Sequence, residues 1–244
     1  MSKPQVAAAA ALALCLAAPA RGADDLSRVL RRCVDAYGGA QALKRAVAVR
    51  ETGHVTSVMR GNAAGALVRT FAPPGRLRVD ITYPGGKGEA RVLDGAAGWR
   101  EGEKVEGMQL AAMVLQAARL ELPRVFAEAP DRVADAGPVE RGGKKLRAVA
   151  VDLGNGLSLT AEIDPESGQV LHTTGAGALP GGMRIYFDTD YSDFRKVNGL
   201  LFAFKEENLA NGVRTGETLL DQVEILPAAP ANAFKPGGSA SSRI

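Results

Sequence analysis

The sequence is short of the residues that most often carry chemistry. Among 244 residues it has two cysteines, two histidines and one tryptophan, and aromatics make up 5%. Cys15 sits inside an N-terminal apolar run, which leaves Cys33 as the one thiol of the remainder. A single thiol forms neither an intramolecular disulfide nor a multi-cysteine zinc site. His54 and His172 have no metal-ligating neighbour at helical or loop spacing. The sequence contains no G-x-S-x-G elbow, no G-x-x-x-x-G-K-[ST] loop and no H-E-x-x-H. Gly175-Ala176-Gly177 opens no helix of a βαβ unit, so it is not a dinucleotide fingerprint. These absences predict no metal, no cofactor and no enzymatic activity.

Charge of one sign is also scarce. The formal net charge is +3, and basic residues come no closer than in doublets such as Arg31-Arg32 and Lys144-Lys145. With so few aromatics for stacking, that field is too weak for a nucleic-acid partner. Acidic residues pair as Asp131 with Asp135, Asp188 with Asp190, and Glu206 with Glu207. Asp188 and Asp190 share the strand face opposite Met183, Ile185 and Phe187, which reads as a solvated face rather than an acid/base pair or a calcium site. No long hydrophobic run is present either. Residues 6–18 are apolar but shorter than the ~20 needed to span a bilayer. Lys3 before that run, and Ala18-Pro19-Ala20 after it, make residues 1–20 a secretory signal peptide. Its removal takes away Lys3 and lowers the charge from +3 to +2. The mature protein is then expected to be a soluble monomer, with Cys33 in a helix.

What is present is alternation. In residues 73–99 a Pro-Gly turn leads into Leu77, Val79, Ile81 and Tyr83 on one side, with Arg76, Arg78, Asp80 and Thr82 on the other. Period-two alternation marks a half-buried strand with one wet face. Gly85, Gly86 and Gly88 reverse the chain, a second strand ends at Asp94-Gly95, and Trp99 follows. Helices are expected at 24–37 and 40–46. Strands are expected at 49–59, 66–71, 76–83, 89–93, near Trp99, and at 146–153, 157–164, 169–174, 184–190, 200–208 and 214–225. Tight turns such as Asn211-Gly212 join them, which predicts an antiparallel meander curled into a barrel or half-barrel.

Residues 107–122 break this pattern. They are good helix formers, apolar around nearly the whole circumference, which predicts a helix buried on almost all sides. Pro123 then interrupts, and 124–129 form a separate short helical piece. The helix is read either as plain core or as the cover of a cavity; its methionines suit a surface that accepts variable apolar shapes.

Several stretches resemble the LolA family of periplasmic lipoprotein carriers and, more widely, the LolA/LolB/RseB-like superfamily. Leu67 to Val79 is similar to the family's strand, proline turn and strand. Asp94-Gly95 with Trp99 matches its D-G-x-x-x-W, and Asp164-Pro165-Glu166-Ser167-Gly168 its mid-chain hairpin. The run from Tyr191 to Phe204 resembles a strand pair of relatives, and Phe234-Lys235-Pro236-Gly237 the closing F-x-P-x-G. The resemblance implies a mainly β, α+β fold: an open, incomplete barrel over 21–236 with an N-terminal helix and internal lid helices, and a flexible tail at 237–244. It implies a periplasmic carrier that encloses the acyl chains of a lipid or lipoprotein, with an inner-membrane exporter and an outer-membrane acceptor as partner proteins. A lipid-sensing or protein-interaction module of the RseB type is the alternative, with a hydrolase third. The cavity wall is assigned to Leu77, Val79, Ile81, Tyr83 and Trp99, and the lid to Met108, Met113, Val114 and Leu115. One departure stands out. The carriers have a lid-latching arginine just before the turn proline, where this chain has Ala72 or Pro73. Arg69 and Arg76 lie nearby without being assigned to the cavity, and the cargo is therefore left open.

Overall fold

A computed structural model describes residues 20–86, 88–178 and 184–237. The apolar run with Cys15, Met183 and the tail beyond Gly237 lie outside the described residues. The described part begins with two helices, α1 (Ala20–Ala36) and α2 (Ala40–Arg45). Six strands follow: β1 (Ala48–Ser57), β2 (Ala63–Ala72), β3 (Arg76–Thr82), β4 (Gly88–Asp94), β5 (Ala97–Arg100) and β6 (Glu103–Val105). The long helix α3 (Gly107–Glu128) separates them from β7 (Val133–Arg141), β8 (Lys144–Gly154), β9 (Leu157–Ile163), β10 (Val170–Ala178), β11 (Arg184–Val197), β12 (Leu200–Ala210) and β13 (Val213–Leu226).

All thirteen described strands form one antiparallel sheet that does not close, in the order β6-β5-β4-β3-β2-β1-β13-β12-β11-β10-β9-β8-β7. The chain is thus two meanders fused where β1 pairs with β13. Its two edges are β6 and β7, and α3 is the connection between them. The helix crosses the inner face of the curl, where Met113 and Ala117 pack with Leu77, Val79 and Ile81. Two glycines on opposite limbs make room for it: a Cβ at Gly98 in β5 would meet Leu110 at 2.9 Å, and one at Gly175 in β10 would meet Leu115 at 3.0 Å.

The hairpins follow local chemistry. At Asn211-Gly212 both residues have positive φ, 49° and 77°, which that pair tolerates better than most. Two strands, β6 and β7, escape the sequence expectation. Both are edges, and β7 is mostly exposed and carries Pro138 opposite Arg147, a position an edge strand accepts.

The expected break at Pro123 does not occur, because α3 runs through it to Glu128. Proline removes the bond to the Arg119 carbonyl, but Leu122 and Phe126 on either side are buried against α1 and the β7–β10 limb. That packing outweighs the lost bond. Nor is α3 buried on almost all sides: residues 107–109 are exposed, Met108 to 47%. Beyond the edge of the sheet there is nothing for the first turn to pack on. The outer face of β3 is not uniformly wet either. Arg78 is buried, holds Asp80 at 2.7 Å, and lies beneath Ala233, whose carbonyl it reaches at 3.4 Å. The segment after β13 folds back here, with Phe234 buried against Ala48, Ala72 and Val92.

Candidate functional site

The inner face of the sheet carries a buried charge cluster. Arg69 in β2 is opposite Glu51 in β1 and Val79 in β3, so strand alternation aims it inward. Its guanidinium donates to Glu51 and, through two nitrogens at 2.6 and 3.1 Å, to Glu206 of β12. Arg119, from α3, donates to Glu206 at 3.0 Å, to Asn208 at 2.9 Å and to Thr189. Arg69, Glu51 and Glu206 are each at most 2% exposed. Burial works against the charge on Glu206, but Arg69 and Arg119 outweigh it and hold its pKa at about 2. Glu51 has the single guanidinium of Arg69, and burial pushes its pKa up. The cluster ties four strands, β1, β2, β11 and β12, to the middle of α3, so the helix is fastened by charge as well as by packing.

On the far side of Arg119 from α1 lies a cavity of about 700 Å³. Its apolar walls include Val79, Ile81 and Tyr83 of the first meander, Phe187 of the second, and Leu115 of α3. On the near side is a pocket of about 110 Å³ between α2, the second half of α3 and the sheet, lined by Tyr37, Leu43, Phe71, Pro123 and Phe202. Arg119 and Glu206 border the small pocket, and Arg119 borders both spaces. The second half of α3 is also tied locally: Gly75 N–H donates to Glu121 at 2.8 Å, and Arg124 donates to the carbonyls of Leu43 and Ala46.

The structure brings together only some of the residues assigned from sequence. Val79, Ile81, Tyr83 and Leu115 line the wide cavity. Leu77 is fully buried in the adjoining core with Met113, and Val114 packs at its margin. Met108 stands outside at the start of α3. Trp99 is on the other face: it pairs with Val92 and packs in the outer cluster with Ala233 and Phe234. The step from Gly98 to Trp99 flips the side, because the strand period is two. Of the nearby arginines, Arg69 faces in and Arg76 faces out, over the Phe234 ring at 5.2 Å.

Arg69, Glu51, Glu206 and Arg119 were not assigned to the site from sequence. The signal for three of them is legible in the alternation. Arg69 stands between Leu67 and Phe71, Glu51 two residues after Val49, and Glu206 two after Phe204, each a charge in an apolar row. The carboxylate pairs do not act together as pairs at this site. Glu207 faces out to Arg214 at 2.9 Å, while Asp190 and Asp188 flank His172 on the outer face at 2.7 and 3.5 Å. Among the described residues no group of three or more His, Cys, Asp or Glu is placed to hold a metal ion.

Comparison with solved structures finds a similar fold. A LolA superfamily protein from Nitrosomonas europaea matches with a TM-score of 0.50 at 10% identity, over 80% of this chain and 96% of that one. The chain has the fold of a LolA superfamily protein. Looser likenesses are to a domain named for outer membrane lipoprotein sorting from Vibrio parahaemolyticus (TM-score 0.48, 8% identity, 84% of this chain and 96% of that one) and to a DUF1329 family protein from Desulfovibrio piger (0.46, 8%, 88% and 97%). No family model and no curated protein matches the sequence. At such identities the LolA-like fold is common ground and the side chains of the site are this chain's own.

Proposed function

We propose that this protein is a periplasmic carrier that encloses the acyl chains of a lipid or lipoprotein, and that it binds rather than catalyses. The observation that supports the reading is the cavity of about 700 Å³ between α3 and the inner face of the sheet. It falls within the ~300–1,000 Å³ range of small-ligand sites. Exposing hydrocarbon to water costs ~0.8 kcal/mol per CH₂, so a chain crossing an aqueous compartment gains from such an enclosure. In this reading the first half of α3 is the lid, residues 1–20 are removed on export, residues 21–236 work as one domain in monomeric form, and 237–244 are a tail.

The test is to purify the mature protein, extract it with organic solvent, analyse the extract by mass spectrometry and titrate a fluorescent fatty acyl probe. Co-purified lipid or saturable probe binding is the expected result. Recovery of no lipid together with no probe binding removes the reading.

A further inference from the structure

Positive charge gathers at the mouth of the wide cavity. Arg60 ends the 3₁₀ turn Val58–Arg60 that follows β1, Arg91 lies in β4 and Arg100 in β5. All three reach one carboxylate, Glu89, at 3.6, 3.2 and 3.4 Å, and all four side chains line the cavity. Three guanidiniums on one carboxylate leave a local excess of positive charge. The other acids that border the space turn their carboxylates away from it: Glu217 to Lys205 at 2.9 Å, and Asp188 to the hydroxyl of Thr174 on the outer face at 2.7 Å. Burial lowers the pKa of Arg91; Glu89 opposes that, and the nearby Arg100, Arg119 and Arg69 add to it. A cation held among cations at the edge of a low-dielectric space is a site short of an anion.

The hydrocarbon wall begins at the same place. The Arg60 guanidinium lies over the Tyr83 ring, 4.7 Å from its centre, and Ile81 and Val79 continue inward along β3. Arg91 bridges the two zones, because its Nη1 donates to Gln116 of α3 at 3.3 Å. We propose that the cavity takes an amphiphile with one acidic headgroup, a carboxylate or a phosphate, seated on Arg60, Arg91 and Arg100, with its tail running inward past Tyr83, Ile81 and Leu115. This rests on the carrier reading and adds the class of ligand. Arginine suits the role because its planar fork pairs with either oxyanion through two parallel bonds.

The test compares four probes by isothermal titration calorimetry on the whole mature protein: dodecyl phosphate, dodecyl maltoside, dodecyltrimethylammonium and inorganic phosphate. Dodecyl phosphate is expected to bind at least about tenfold more tightly than the other two tailed probes, since hydrogen bonds to charged groups are the stronger class. Salt should erode that margin. Arg60 and Arg100 are each about 40% exposed, so Arg60→Gln and Arg100→Gln leave the core intact. Together they should bring dodecyl phosphate down to the maltoside value. Equal affinity of the three tailed probes, or an unchanged value in the double variant, overturns the headgroup site and leaves the carrier reading standing. Inorganic phosphate binding as tightly as dodecyl phosphate would show that the tail adds nothing, and overturns the amphiphile together with the carrier reading. Failure of every tailed probe to bind removes both.

Discussion

The two halves of α3 lie over the same sheet and differ in what backs them. From Arg119 onward the helix has α1 and α2 behind it; Leu122 and Phe126 are buried, and Glu121 and Arg124 bond to neighbouring backbone. The space left there is about 110 Å³. Before Arg119 the helix packs Met113 and Ala117 into the β1–β4 core and reaches the opposite limb through Leu115 at Gly175, and beside it a cavity of about 700 Å³ stays open. The first half lacks a second helical layer to fill the curve of the sheet. The cavity thus comes from where α1 stops, with the Arg119–Glu206–Arg69–Glu51 cluster as the boundary between the filled end and the open end.

The boundary between the two ends should be most sensitive to Arg69→Met. It leaves Glu51 and part of Glu206 buried without a counter-charge, and should destabilise the fold by about 3–5 kcal/mol. Chemical denaturation checks this; a midpoint at the wild-type value would mean that the cluster does not hold the two ends together. Next, a pair of helix variants separates the halves. Leu122→Ala at the filled end should cost about 2–5 kcal/mol, because neighbours fixed by α1 collapse little into the void, and it should leave acyl-probe affinity unchanged. Ala112→Trp at the open end puts bulk into the cavity. It should cost less than about 1 kcal/mol, since space is available, and lower probe affinity at least tenfold. Equal behaviour of the two variants in both assays would erase the distinction.

The smallest effect is a pH dependence. Glu206 is held at about 2 against an ordinary 4.5, so its contribution to stability is complete above pH 4.5 and drains away as pH falls toward 2. Glu51 is shifted upward by burial, so it takes up its proton more readily when folded and offsets part of that loss. Thermal melting on acidification should therefore fall mainly through this window, and Glu206→Gln should flatten the curve there. A variant curve parallel to the wild type would assign the acid sensitivity to other carboxylates.

Much of the sheet was legible because alternation and turn residues are local. The hairpin at Asn211-Gly212 and strands such as Arg76–Thr82 follow from neighbours in the chain. The edge strand β7 was not legible, since an exposed edge has no apolar row to display, and the continuity of α3 through Pro123 was not, since the packing that sustains it comes from α1. At the candidate site, Val79, Ile81 and Tyr83 were readable as one row, but Trp99 was misplaced because a conspicuous residue does not reveal its face without the register. The arginines of the mouth come from three separate elements, and no spacing links them.

Local patterns along the chain already carry the small parts: the helices expected from 24, 40 and 107, the alternating rows, the turns, and the scarcity of metal-binding and nucleophilic residues. Those are properties of side chains within a few residues of each other. Only the tertiary structure decided that β1 closes on β13, that α3 crosses between the two edges, and that Arg69, Glu51, Glu206 and Arg119 meet under it. These contacts join residues as far apart as 51 and 206. They depend on the sum of many packing terms around the curl of the sheet, and no local pattern contains that sum.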